Sequence, residues 1–132
     1  MNVQRFTYNP QRYLPFIPMT LFYEEISIEK EALVDSGATN NVLPYHVGLE
    51  LGLSWEAQTR KLTPVDILRG APVVGIRLYG QIKPFPLVPL VFAWTQKNDI
   101  PLILGHVNFF GEFDVHFYDT QGFFELRPGK RF

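Results

Sequence analysis

A chain of 132 residues with 46% hydrophobic and 15% aromatic content has the size of a single domain and ample material for a core, which excludes a disordered chain. Twelve basic and thirteen acidic side chains leave a formal charge of −1 with no run of one sign, so neither nucleic acid nor an anionic membrane is expected as a partner. The lack of cysteine excludes disulfides, thiol catalysis and thiolate metal sites; with no membrane-length apolar run and no signal-peptide core, the chain is expected to be soluble and cytoplasmic.

Twelve Phe beside eleven Pro disfavour long helices and favour strands. Residues 1–19 mix Phe6, Tyr8, Pro10, Tyr13, Pro15, Phe16 and Pro18 without period. They read as an extended N-terminal arm that packs on something, because a free tail rarely carries so many aromatics. Residues 20–132 read as one domain. From Leu21 an alternation sets in, with Phe22, Ile26 and Ile28 opposite Tyr23, Glu25, Ser27 and Glu29, which predicts a half-buried strand. A polar break at Glu29, Lys30 and Glu31 is followed by the apolar run Ala32, Leu33 and Val34, a buried strand that ends on Asp35.

After that strand, Val42 and Leu43 form a further short strand. Pro44 opens a short helix that presents Val47 and Leu51 on one face and stops at Gly52. Residues 65–80 read as a hairpin with its tip at Arg69, Gly70, Ala71 and Pro72; the proline stiffens that turn and removes one backbone donor. Residues 87–93, bracketed by Pro84, Pro86 and Pro89, read as an edge strand. Residues 100–104 form a buried strand ended by Gly105. Phe113, Val115 and Phe117 alternate into a terminal hairpin that turns at Asp119–Gly122 and returns through 123–126.

The stretch around Asp35 breaks several local rules at once. A buried strand delivers a carboxylate onto a loop of small and hydroxylic residues, Ser36, Gly37, Ala38 and Thr39. Such a carboxylate is costly to hide unless its oxygens are hydrogen-bonded, and Ser36, Thr39 and the loop N–H groups are the candidate donors. An Asx-turn that merely caps the strand accounts for the same pattern. The Asp-Ser-Gly-Ala sequence after an apolar strand, continued by Asn41, Val42, Leu43 and Pro44, resembles the active-site loop of aspartic proteases. A second element, Pro101-Leu102-Ile103-Leu104-Gly105, is similar to the apolar-apolar-Gly strand beside that loop, with a short helix to follow at residues 106–110. The two motifs stand in the order found in retropepsin-like, single-domain aspartyl proteases, and the resemblance spans roughly residues 20–127.

What the resemblance implies is specific. The fold would be all-β, a small closed retropepsin-like (acid protease) barrel with one or two short helices. Hydrolysis of a peptide bond by this chemistry needs two carboxyls sharing one proton, one to take a proton from water and one to hydrogen-bond the scissile carbonyl. Of the aspartates Asp35, Asp66, Asp99, Asp114 and Asp119, only Asp35 precedes a hydroxyl residue and glycine. The expected working unit is therefore a homodimer that brings two copies of Asp35 together across a two-fold axis. In that arrangement Ser36 bonds across the dimer and Gly37 lets backbone approach the carboxylates. Ala38 and Thr39 support the loop, and Ile103, Leu104 and Gly105 run beside it. The 69–72 tip folds over bound peptide, and the N-terminal arm builds the interface. A peptide or protein substrate binds extended, with no metal and no organic cofactor.

Other chemistries find less support. His46, His106 and His116 have no partner at helical metal spacing. No Gly-x-Ser-x-Gly elbow, phosphate loop or dinucleotide fingerprint is present. Glu24 and Glu25 read as solvated surface. The reading from a different class is a non-catalytic dimeric module of the same fold that binds extended peptides or a partner protein.

Overall fold

The computed structural model describes residues 2–58 and 70–129. Nine strands dominate it: β1 (Gln4–Thr7), β2 (Phe16–Tyr23), β3 (Ile26–Val34), β4 (Asn41–Leu43), β5 (Val73–Gln81), β6 (Val88–Thr95), β7 (Leu102–Leu104), β8 (Phe113–Tyr118) and β9 (Phe123–Pro128). Two short helices, α1 (Tyr45–Glu50) and α2 (Phe109–Glu112), complete the described elements with a single 3₁₀ turn at Asp119–Gln121. Six strands close into a barrel in the order β2-β3-β7-β4-β6-β5, sealed by β2 pairing with β5. The other three form a sheet in the order β1-β9-β8. The all-β closed barrel with two short helices is the architecture expected from the sequence.

Alternation builds the barrel core. Ile17, Met19 and Leu21 of β2, Val74, Ile76 and Leu78 of β5, and Leu90, Phe92 and Trp94 of β6 all point inward and are buried, as period-2 patterning requires. Helix α1 packs against β6. Pro44 occupies its N-cap position and Gly52, at φ +87°, its exit, while Val47 and Leu51 are buried together. Tyr45 stacks on Trp94 with ring centroids 5.7 Å apart, and Trp55 meets the same indole edge-on at 5.2 Å. Gly48 lies directly under that indole, where any Cβ would overlap it.

Several elements depart from the expectation. Residues 21–29 are not one strand: the chain reverses at Glu24 and Glu25, with Tyr23 opposite Ile26, and Glu29, Lys30 and Glu31 lie inside β3. The two-residue reversal shifts the alternation by one position, because facing residues share a side of the sheet: Leu21 and Tyr23 lie with Ile28 and Ile26, and Phe22 lies with Ser27 rather than with Ile26 and Ile28. Strand β2 begins at Phe16 rather than near Leu21, and residues 4–7 of the supposed arm are a strand paired with β9. Strand β6 is not an edge strand, since it pairs with β5 and with β4. It accommodates Pro89 because β4 reaches only Phe92–Trp94. Beyond that point the Asn108 side chain takes the neighbour's place, accepting from Val91 N–H at 3.0 Å and donating to the Pro89 carbonyl at 2.9 Å. The helix after Gly105 starts at Phe109 rather than His106. The N–H groups of His106 and Val107 are committed to the carbonyls of Ala38 and Thr39, at 3.0 and 2.8 Å, so the chain is held extended there. The first strand of the 65–80 hairpin and its tip residue Arg69 lie outside the described residues; Gly70, at φ +79°, and Pro72 are exposed.

Candidate active site

Asp35 follows the last residue of β3 and is half-buried. Two features of the sequence place it there. The apolar end of β3 runs parallel to β7, with Leu33 opposite Ile103 and Val34 opposite Leu104. The Asp35 N–H then extends that ladder by one bond, donating to the Leu104 carbonyl at 2.9 Å. Beyond it the chain turns tightly, with Ala38 N–H donating to the Asp35 carbonyl at 3.1 Å and Gly37 N–H donating to Asp35 Oδ1 at 2.9 Å. The carboxylate thus accepts its bond from the Gly37 backbone, one of the loop donors expected, and not from a side-chain hydroxyl.

The other residues singled out by sequence fall around this turn in different roles. Ser36 and Gly37 form its exposed tip, and Thr39 is exposed on its far side. Ala38 is buried in a small apolar cluster with Val42, Val73 and Ile103, separate from the main core. Leu104 is fully buried. Gly105 passes so close beneath the loop that a Cβ would lie 2.6 Å from the Asn40 carbonyl and 2.7 Å from that of Ala38. Both obstacles are backbone, so the site demands glycine.

Two asparagines were not among the sequence candidates. Asn41 is 0% exposed. Its Oδ1 accepts Gly105 N–H at 2.8 Å, and its Nδ2 donates to the Val91 carbonyl at 3.0 Å and to Asn108 Oδ1 at 3.2 Å. One carboxamide therefore ties the Asp35 loop, the glycine beside it and β6. An Asn at the start of a short apolar strand is the available signal, because a buried amide must spend its donors and acceptor on neighbours.

A cleft of about 540 Å³ opens beside Asp35 and Ser36. Leu33, Leu14, Pro15 and Phe117 give it apolar walls, and Tyr8, Tyr13 and Asp119 a polar end. The segment from residue 9 to 15 reaches this cleft because the Pro15 carbonyl accepts Val34 N–H at 3.0 Å, one residue before Asp35. Tyr13 donates its hydroxyl to the Asp119 carbonyl at 2.7 Å, and the Tyr8 hydroxyl bonds the Asp119 carboxylate. Burial first, then that bond and the Asp119 charge, push the Tyr8 phenol up to about 12.

The histidines are distributed rather than clustered. His46 shares the Asn98 side chain through its backbone N–H and Nδ1, both at 2.9 Å; His106 Nε2 lies 2.7 Å from the Ser36 carbonyl; His116 is exposed on β8. Among the described residues no three metal-ligating side chains converge, and no helix is long and apolar enough to cross a membrane.

No protein-family model matches the sequence, and no curated protein matches it. Solved structures do. A retropepsin-like aspartic protease from Rickettsia conorii superposes with a TM-score of 0.66 at 15% identity, over 95% of this chain and 91% of that one. The retroviral protease-like domain of Ddi1 from Leishmania major superposes with a TM-score of 0.56 at 20% identity, over 75% of this chain and 77% of that one. The chain has the retropepsin-like fold.

Proposed function

We propose that this chain is an aspartic endopeptidase that works as a homodimer, with Asp35 of each subunit contributing one half of a carboxyl dyad. The observation that carries the reading is the setting of Asp35 within this fold: a rigid strand end, a Gly37 N–H on one carboxylate oxygen, and an adjoining open cleft. Each subunit supplies one such loop, and the chemistry needs two carboxyls. Two carboxyls brought together share a proton, because both cannot ionise cheaply at short range.

In the proposed reaction the ionised member of the pair takes a proton from a water molecule as its oxygen attacks the peptide carbonyl. The protonated member hydrogen-bonds the carbonyl oxygen and stabilises the charge that develops there. Proton transfer to the amide nitrogen then releases the amine. Substrate lies extended and bonded through its backbone, with apolar side chains against walls such as Leu33 and Leu14.

The test is cleavage of denatured casein by the native chain and by Asp35→Asn, with sedimentation and circular dichroism on both. The expected result is turnover by the native chain only, from two proteins of equal size and fold. Equal turnover in both would overturn the mechanism. Binding of extended peptides without turnover by the native dimer would instead favour the non-catalytic module.

A further inference from the structure

We propose that His106 is a positioning residue for the Asp35 loop, its imidazole gripping the peptide group that hydrogen-bonds the Asp35 carboxylate. The catalytic consequence rests on the aspartic-protease reading; the grip itself rests on geometry alone.

The base of the loop is held by main-chain bonds, from Asp35 N–H to Leu104 and from His106 and Val107 N–H to Ala38 and Thr39. Its exposed tip, Ser36 and Gly37, lies outside that ladder. There the two polar ends of one peptide group are both engaged. The Ser36 carbonyl faces His106 Nε2 at 2.7 Å, and the Gly37 N–H of the same peptide donates to Asp35 Oδ1 at 2.9 Å. A peptide group is planar and trans, so fixing its carbonyl fixes the direction of its N–H. The bonds form a relay from imidazole through peptide to carboxylate, in which each bond polarises the next.

A carbonyl oxygen only accepts, so His106 Nε2 must carry the hydrogen, and in the neutral ring Nδ1 is then the bare nitrogen. The ring cannot swing freely. It stacks on Phe110 at 5.0 Å, and Phe110 meets Phe109 edge-on at 5.6 Å. Phe109 is fully buried in the main core. Helix α2 thus anchors a donor against the loop tip, and the loop's aim is set by the core rather than by the tip itself.

Two substitutions separate the donor from the ring. His106→Phe keeps the stack and loses the N–H; His106→Gln keeps an N–H donor of similar reach. With a fluorogenic peptide built on the fastest-cleaved casein bond, His106→Phe should lower kcat about 10- to 100-fold while KM changes less than about twofold. His106→Gln should return kcat to within about threefold of the native value. An unchanged kcat in His106→Phe, or equal losses in both variants at native thermal stability, would overturn the proposal.

Nuclear magnetic resonance decides the grip without turnover, and so separates its failure from that of the protease reading. The Gly37 amide proton should shift upfield and lose exchange protection in His106→Phe but not in His106→Gln; an unmoved resonance in His106→Phe overturns it. Should the variants not fold, the native imidazole ¹⁵N spectrum with the ring neutral should show hydrogen on Nε2. Hydrogen on Nδ1 would end the proposal.

Discussion

The Asn41 carboxamide oxygen accepts the backbone N–H of Gly105 at 2.8 Å, joining the far side of the Asp35 loop to the glycine that runs beneath it. The same side chain donates to Val91 and Asn108, so a single buried amide sets the distance between the loop and β6. Asn41→Leu fills similar space but orphans the Gly105 N–H and the Val91 carbonyl. The Gly105 N–H becomes a buried orphan at a cost of about 1–3 kcal/mol, with a smaller loss at the part-buried Val91 carbonyl, so a loss of about 2–4 kcal/mol in urea unfolding is expected. A variant as stable as the native protein would show that the amide is not what holds the two segments together.

Gly48 faces a different constraint. The indole of Trp94 sits where its Cβ would be, and the indole is pinned by Tyr45, Trp55 and a 3.3 Å bond from Nε1 to the Tyr45 carbonyl. Overpacking a rigid neighbour typically costs about 1–3 kcal/mol. Gly48→Ala should lower stability by that amount and change tryptophan fluorescence in the folded state. Unaltered emission and melting would mean that α1 lifts away from the barrel at no cost.

The β2–β3 reversal stores a small strain. Glu24 holds φ at +53°, a left-handed conformation that costs an ordinary side chain roughly 1 kcal/mol. Asparagine tolerates that region better than glutamate. Glu24→Asn should therefore raise stability by about 0.5–1 kcal/mol, read as a higher thermal midpoint. A lowered midpoint would locate the strain elsewhere in the turn.

That turn also marks where the sequence ceased to be legible. The strand into Asp35, the strand ending at Gly105 and the α1 boundaries at Pro44 and Gly52 could be read because each is punctuated by a residue with a conformational reason to be there. Glu24 and Glu25 carry no turn chemistry, and the even spacing of Phe22, Ile26 and Ile28 imitates one continuous strand, which hides the phase shift that puts Phe22 beside Ser27. Pro89 suggested an edge because the pattern cannot show that Asn108 stands in for the neighbouring strand. His106 reads as a helix start because local sequence does not reveal that its N–H is taken by the carbonyl of Ala38, 68 positions earlier in the chain. Asn41 and the Tyr8–Tyr13–Asp119 group share that difficulty: each acts through partners distant in sequence, which only the closed barrel brings together.

The last of those groups makes a pH prediction. Tyr8 is 7% exposed, with its hydroxyl on the Asp119 carboxylate and its N–H on the Gly122 carbonyl at 2.8 Å. Burial, followed by the Asp119 bond and charge, raises the phenol from 10.0 to about 12. Between those values the folded chain keeps a proton that the unfolded chain has released. Stability therefore falls as pH rises through this window, and the contribution is fully present below the lower value. Tyr8→Phe removes both the bond and the titration. The variant should be less stable near neutral pH, with a shallower decline than the native protein across the alkaline window. Melting curves at matched ionic strength check this, and parallel declines in the two proteins would show that the Tyr8–Asp119 pair does not fasten the 9–15 segment beside the cleft.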